Sequence, residues 1–207
     1  MEEKLIQEGN EFEDYKEQEL EVDGIEDIEK EKDSFQIEEY DLTSTPNDFN
    51  IITLGNFIDS GSVTIPGFQR NYVWDLKKAS RLIESLILGL PVPQLFLYEE
   101  DRNKFSVIDG QQRLMTIYYF LKGRFPKPEK RPEIRRIFVE NGEIPSEIFH
   151  NDEYFRKFKL TLPGDTKGSF SKFHGLSSET LGDYKMQFEL RPIRNVIVKQ
   201  NLPKDDD

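Results

Sequence analysis

The stretch Val107–Leu121, VIDGQQRLMTIYYFL, decides the fold. A short apolar run, Val107-Ile108, ends in Asp109-Gly110, and two amides and a cation follow as Gln111, Gln112 and Arg113. Beyond them the apolar residues change period. Leu114, Ile117, Tyr118 and Leu121 fall on one helical stripe, and Gly123 stops it. A strand therefore hands over to a helix at Asp109-Gly110.

Upstream, Gln94–Glu99 and Lys104–Ile108 read as two strands around the polar turn Glu100–Asn103. Before them lies the clearest helix. Leu76, Ala79, Leu82, Ile83, Leu86, Ile87 and Leu90 form one apolar stripe, with Asp75 placed to cap its start and Gly89 with Pro91 to end it. Pro66–Trp74, PGFQRNYVW, has no period; large apolar side chains surround Gln69 and Arg70, which predicts an ordered, partly buried loop. Val63–Ile65 reads as a short strand, and Ile51–Ile58 as a short helix closed by Gly61, with order beginning near Asn47. Downstream, Pro126–Thr166 gives a weak signal, Ser177–Phe188 predicts a helix capped at Ser177 or Ser178, and Ile193–Val198 alternates like a strand that needs a sheet to join. Mixed strands and helices with a strand–helix handover predict an α+β or α/β domain.

The chain carries −12, unevenly spread. Residues 1–41 hold 18 acids and 4 bases, hence −14, while the remainder holds 22 acids and 24 bases, hence +2. Residues 1–41 are thus expected to be a disordered acidic arm, or one that folds against a basic surface, and residues 42–207 the folded domain. The domain's near-neutral balance gives no bulk argument for nucleic acid. There is no cysteine, so disulfides and thiolate chemistry are excluded, and a zinc site would have to rely on His150 and His174 with carboxylates. The start has no secretory pattern, and the apolar region Leu82–Tyr98 is interrupted by Glu84, Gly89, Pro91 and Pro93. A cytoplasmic protein with no membrane partner is the expectation.

Two readings of Asp109–Arg113 stay open on spacing alone. Asp109 as N-cap with Gln112 three residues on makes a capping box, and Gly110 a tight turn. That leaves Gln111 and Arg113 without a reason. Alternatively, the helix N-terminus offers unpaired N–H groups and partial positive charge to a phosphate. Gly110 then admits a ligand to the backbone, Arg113 grips phosphate oxygens, and Asp109 holds a divalent cation or orients a water. Gln111 and Gln112 suit positioning water or reading a polar edge. The loop residues Gln69 and Arg70 offer a second amide and cation, and Tyr72 and Trp74 offer faces for a base. Arg70 in an apolar loop needs an acid or a ligand, and Asp109 is a candidate acid. Pro163–Ser169 lacks the P-loop spacing and reads as a surface turn; neither G-x-S-x-G nor H-E-x-x-H occurs.

Three blocks in order, IPGFQRNYVW, LIESLILGLPVPQLFL and VIDGQQRLMTI, resemble the N-terminal domain of GmrSD-type modification-dependent restriction endonucleases over about residues 50–125. The resemblance implies an α+β ParB/sulfiredoxin-like domain, a small mixed sheet with flanking helices. It also implies nucleotide binding and hydrolysis at Asp109, Gln111, Gln112 and Arg113, with Gly110, Gln69 and Arg70 in the same pocket; Tyr72 is expected there as the face for the base. An NTP with a divalent cation, Mg²⁺ held by Asp109, is the implied cofactor. DNA and an HNH-type nuclease domain or chain are the implied partners, with oligomeric state open. The family's usual F-x-R-L-N-T-G-G continuation and HNH segment do not appear, so nuclease activity is not expected in these residues. The expected function is an NTP-hydrolysing sensor in DNA restriction or phage defence. The alternatives are a non-catalytic ParB-like module that binds DNA or a partner, and a metal-dependent nicking nuclease.

Overall fold

The handover at Asp109-Gly110 organises the molecule. A computed structural model describes residues 42–66, 70–164 and 168–201. The acidic arm, Gln69 and most of the Pro163–Ser169 turn's interior lie outside the described residues. The elements run β1 (Leu42–Asn50), α1 (Ile51–Asp59), β2 (Val63–Thr64), α2 (Leu76–Leu88), β3 (Leu95–Asp101), β4 (Lys104–Asp109) and α3 (Gln111–Leu121). Then follow β5 (Arg124–Pro126), a 3₁₀ turn (Pro128–Lys130), α4 (Arg131–Asn141), α5 (Ser146–His150), β6 (Phe155–Lys157), α6 (Tyr184–Glu189) and β7 (Pro192–Gln200).

Five strands form a mixed sheet in the order β1-β7-β3-β4-β2. β3 and β4 are an antiparallel hairpin, turned at Asn103 with φ 61°. β7 lies parallel to β3, with Leu95 opposite Asn195, and antiparallel to β1. The closing strand thus finds the sheet it needs. The fold is α+β, with helices flanking a small mixed sheet, and β5–β6 form a separate ribbon.

Helix α3 is the central element. Its expected stripe is only part of its buried surface, because Met115, Thr116, Tyr119 and Phe120 are buried too. It packs against α1, α2 and β5. Gly55 sets the approach of α1: a Cβ there would stand 2.6 Å from Leu121 Cδ1. Aromatic edges fill the side facing β5 and β6, as where Phe125 meets Phe158 with ring centroids 4.9 Å apart. A helix buried nearly all round has no room to rotate, so the residues at its first turn are held where the strand delivers them.

Two expectations need correction. The segment Ser177–Phe188 is not one helix. Ser177–Thr180 closes a turn, Gly182 takes φ 58°, and only Tyr184–Glu189 is helical. β1 begins at Leu42, five residues before the expected onset of order, as an exposed edge strand that tolerates Pro46.

Candidate functional site

Helix α3 begins without a capping box, the first of the two readings of its spacing. Its N-cap is Gly110 in the left-handed region, φ 96°, and no side chain caps its first turn. Asp109 turns away and pairs with Arg113 one turn on, Nη2 to Oδ2 at 2.9 Å, and the same Nη2 donates to the Gln94 carbonyl at 3.0 Å. Arg113 is 19% exposed and Asp109 67%. The guanidinium is thus anchored to the start of the β3 segment on one side, and its Nε makes no hydrogen bond among the described residues. Arg70 is exposed, and the acid that pairs with Arg113 is not its partner.

The two adjacent amides have a structural use that spacing did not reveal. Gln111 Nε2 donates to the Arg70 carbonyl at 3.0 Å. Gln112 Nε2 donates to the Asn71 carbonyl at 3.1 Å, and its Oε1 accepts from the Val73 N–H at 2.8 Å. The carboxamide of Gln112 therefore pairs with the carbonyl before Tyr72 and the N–H after it, as a neighbouring strand would. Both glutamines are buried, and these bonds satisfy backbone groups of a loop that has no ladder of its own. Gln112 does not reach back to cap α3.

Tyr72 lies apart from its expected partners. It is 5% exposed, sits edge-on to Tyr119 and Phe125, and donates from its hydroxyl to Thr116 Oγ1, which in turn donates to the Gln112 carbonyl. Burial pushes its phenol well above the usual tyrosine range, partly opposed by the Thr116 bond, so it stays neutral. Its ring faces are in the core and offer no surface to a base. Arg131 at the start of α4, a residue the weak sequence signal there did not single out, completes the support: Nη2 donates to the Trp74 carbonyl at 2.9 Å, and the guanidinium lies over the Tyr72 ring. Burial lowers the pKa of Arg131, with the neighbouring tyrosines acting in opposition.

These anchors hold one wall of an open cleft of about 420 Å³, within the range of small-molecule sites. Arg70, Trp74 and Lys78 line one side, and Ile108, Asp109, Gly110, Gln111, Gln112 and Arg113 the other. The structure thus brings Arg70, Trp74 and the whole Asp109–Arg113 motif to one cavity, adds Lys78, and leaves Tyr72 buried outside its lining. Among the described residues, three cations and a single carboxylate line the cleft. Among the described residues no group of three His, Cys, Asp or Glu side chains could hold a metal ion. No helix among them is long and apolar enough to cross a membrane.

Gly110 is required twice over. Its φ is left-handed, and a Cβ would stand 2.3 Å from Leu95 Cδ2 and 3.1 Å from Arg113 Nη2. Gly110→Ala is expected to destabilise the domain by about 1–3 kcal/mol, read in a urea melt, because it adds a left-handed alanine to a steric push on Leu95. A melt unchanged from wild type would show that this backbone is not constrained.

Residues 51–202 match the family model described as GmrSD restriction endonuclease, N-terminal domain. The chain is also similar to an uncharacterized protein of Methanocaldococcus jannaschii, at 25% identity over 152 residues, covering 59% of this chain and 26% of that protein. The chain thus spans about a quarter of the length of that relative.

Proposed function

The chain belongs to the GmrSD restriction endonuclease N-terminal domain family, a family of restriction systems, and from that premise we propose that it is the nucleotide-binding and NTP-hydrolysing sensor of a DNA restriction or phage-defence system. The observation that carries this reading is the shared cleft. An uncapped helix start, Arg113 and Arg70 converge on one polar cavity of nucleotide size.

Triphosphate oxygens accept from the first N–H groups of α3 and from Arg113, with Arg70 and Lys78 closing the opposite side. A phosphate that takes up Arg113 competes with Asp109 for it. The released carboxylate is then free to accept from a water aligned on the terminal phosphate. A lone, exposed Asp109 does not make a metal cage by itself, but it fits Mg²⁺, which is commonly held by one or two carboxylates with waters and the substrate's own phosphates. The ion would neutralise charge on the phosphates. Gln111 and Gln112 act by holding the loop that carries Arg70 and Trp74, since their carboxamides bond the backbone of Arg70, Asn71 and Val73. The reaction belongs in the cytoplasm, where NTP is supplied, and its output acts on DNA through a nuclease domain or chain.

Calorimetric titration of each NTP, with and without Mg²⁺, together with a phosphate-release assay, tests this. Saturable binding and slow turnover are expected. If no NTP binds, the proposal fails. Binding without turnover favours the second reading, a non-catalytic binding module, which the use of both glutamine side chains to hold the loop also favours. A nicking nuclease has less support, because Asp109 is the one acid that lines the cleft among the described residues.

A further inference from the structure

Trp74 is the only tryptophan of the chain, and it stands in the cleft wall beside Lys78. Lys78 Nζ lies 4.7 Å from the centroid of the indole. Both ends of this pair are fixed to the scaffold. The Trp74 carbonyl accepts from Arg131, and the preceding N–H of Val73 is held by Gln112. Lys78 sits in the first turn of α2, its N–H capped by Asp75 Oδ1 at 2.7 Å. The backbones are therefore pinned while the ammonium, on an exposed side chain, is not: it has no carboxylate partner among the described residues. The indole is half-buried against the core, and both it and the exposed lysine over it line the cleft, so the contact between ammonium and ring lies within reach of a ligand.

We propose that Trp74 and Lys78 form a clasp that a nucleotide opens by exchange. The base replaces the ammonium on the indole, and the ammonium moves onto the phosphates held by Arg113. Each partner gains a better match. The base trades water for a π face, and Lys78 trades a ring quadrupole for full negative charge. The flexible stem of Lys78 makes the exchange possible without backbone movement. Tyr72, two residues earlier in the loop, cannot substitute, because its ring is enclosed. The clasp gives the cleft separate determinants for base and phosphate, and it rests on the nucleotide reading given above.

The experiment titrates ATP and inorganic triphosphate into wild type, Trp74→Leu, Trp74→Tyr and Lys78→Met by calorimetry, with a thermal melt of each variant. Trp74→Leu should weaken ATP roughly 5- to 100-fold, the usual worth of one stacked base, and leave triphosphate unchanged. Trp74→Tyr, which keeps a π face, should recover most of the loss. Lys78→Met should weaken both ligands alike, roughly 10- to 100-fold for one charged contact. Triphosphate alone should also change the indole emission of wild type by drawing the ammonium away, and Lys78→Met should lack that change. Equal losses of ATP and triphosphate in Trp74→Leu, no loss of either, or an emission blind to triphosphate would each overturn the clasp while leaving the nucleotide site standing. Wild type that binds neither ligand overturns both.

Discussion

Arg113→Ala is expected to weaken nucleotide binding by roughly 100-fold or more while lowering the melting temperature little. The two effects separate because of where the side chain is anchored. Its ion pair is with Asp109, a residue 67% exposed, and pairs with one end in water contribute about 0–1 kcal/mol to folding. Its bond to the Gln94 carbonyl is at the rim of the sheet, where water can replace it. Ligand binding has no such substitute. Removing the guanidinium deletes a forked, permanently charged donor from a cleft whose cations otherwise come from Arg70 and Lys78 on the facing wall. Arg113→Lys should recover little, because an ammonium cannot hold the Gln94 carbonyl and fork onto a phosphate with one planar group. Calorimetry of ATP binding beside a thermal melt reads both quantities. A variant that binds as wild type does would mean that the guanidinium belongs to the scaffold alone.

The reach of the sequence depended on whether a residue's partner was near it in the chain. α2, the β3–β4 hairpin and α3 were legible because period and punctuation are local: Asp75 caps Lys78 three residues away, and Gly89 ends the helix that Leu86 and Ile87 fill. β1 was not legible. It pairs with β7 across some 150 residues of chain, its exposed positions do not alternate, and Pro46 argues against a strand unless it is known to be an edge. The predicted helix at Ser177 failed because Gly182 and a Ser177–Thr180 turn interrupt a pattern whose period alone looked continuous.

The site divides the same way. Asp109, Gly110, Arg113 and Arg70 were singled out by residue type, and they share one cleft. Tyr72 has the same composition signal as Trp74, and only the third dimension separates them: Thr116 takes the hydroxyl of one, and Lys78 lies over the ring of the other. Gln112 shows the limit most sharply. Its letter fits a capping box, yet its carboxamide is used by a loop 39 to 41 residues earlier. Arg131 had no local signal at all, since its function is defined by a carbonyl 57 residues away.

That use of Gln112 makes Gln112→Glu a damaging change although it conserves the shape of the side chain. The shape is kept and one donor is lost. One carboxylate oxygen can still accept from the Val73 N–H, but the other would face the Asn71 carbonyl, acceptor against acceptor, at a position only 6% exposed. The expected cost at neutral pH is about 3–5 kcal/mol, combining a lost buried hydrogen bond with an uncompensated buried charge. Because burial disfavours the charged form, the folded-state pKa of the new carboxyl must lie above its unfolded value of roughly 4.3. The sign follows from linkage. Below that unfolded value the protonated acid donates to Asn71 as the amide does, and stability approaches that of wild type. As pH rises through the raised folded-state pKa, that stability is lost. Gln112→Ala should cost less, about 1–3 kcal/mol, and without this pH dependence, because it leaves two backbone groups unpaired but buries no charge. Urea melts of the three proteins at pH 4 and pH 7.5 decide it. If Gln112→Glu loses no more stability at pH 7.5 than Gln112→Ala, the amide does not serve Tyr72 as a strand neighbour. The loop that brings Arg70 and Trp74 to the cleft must then be held by something else.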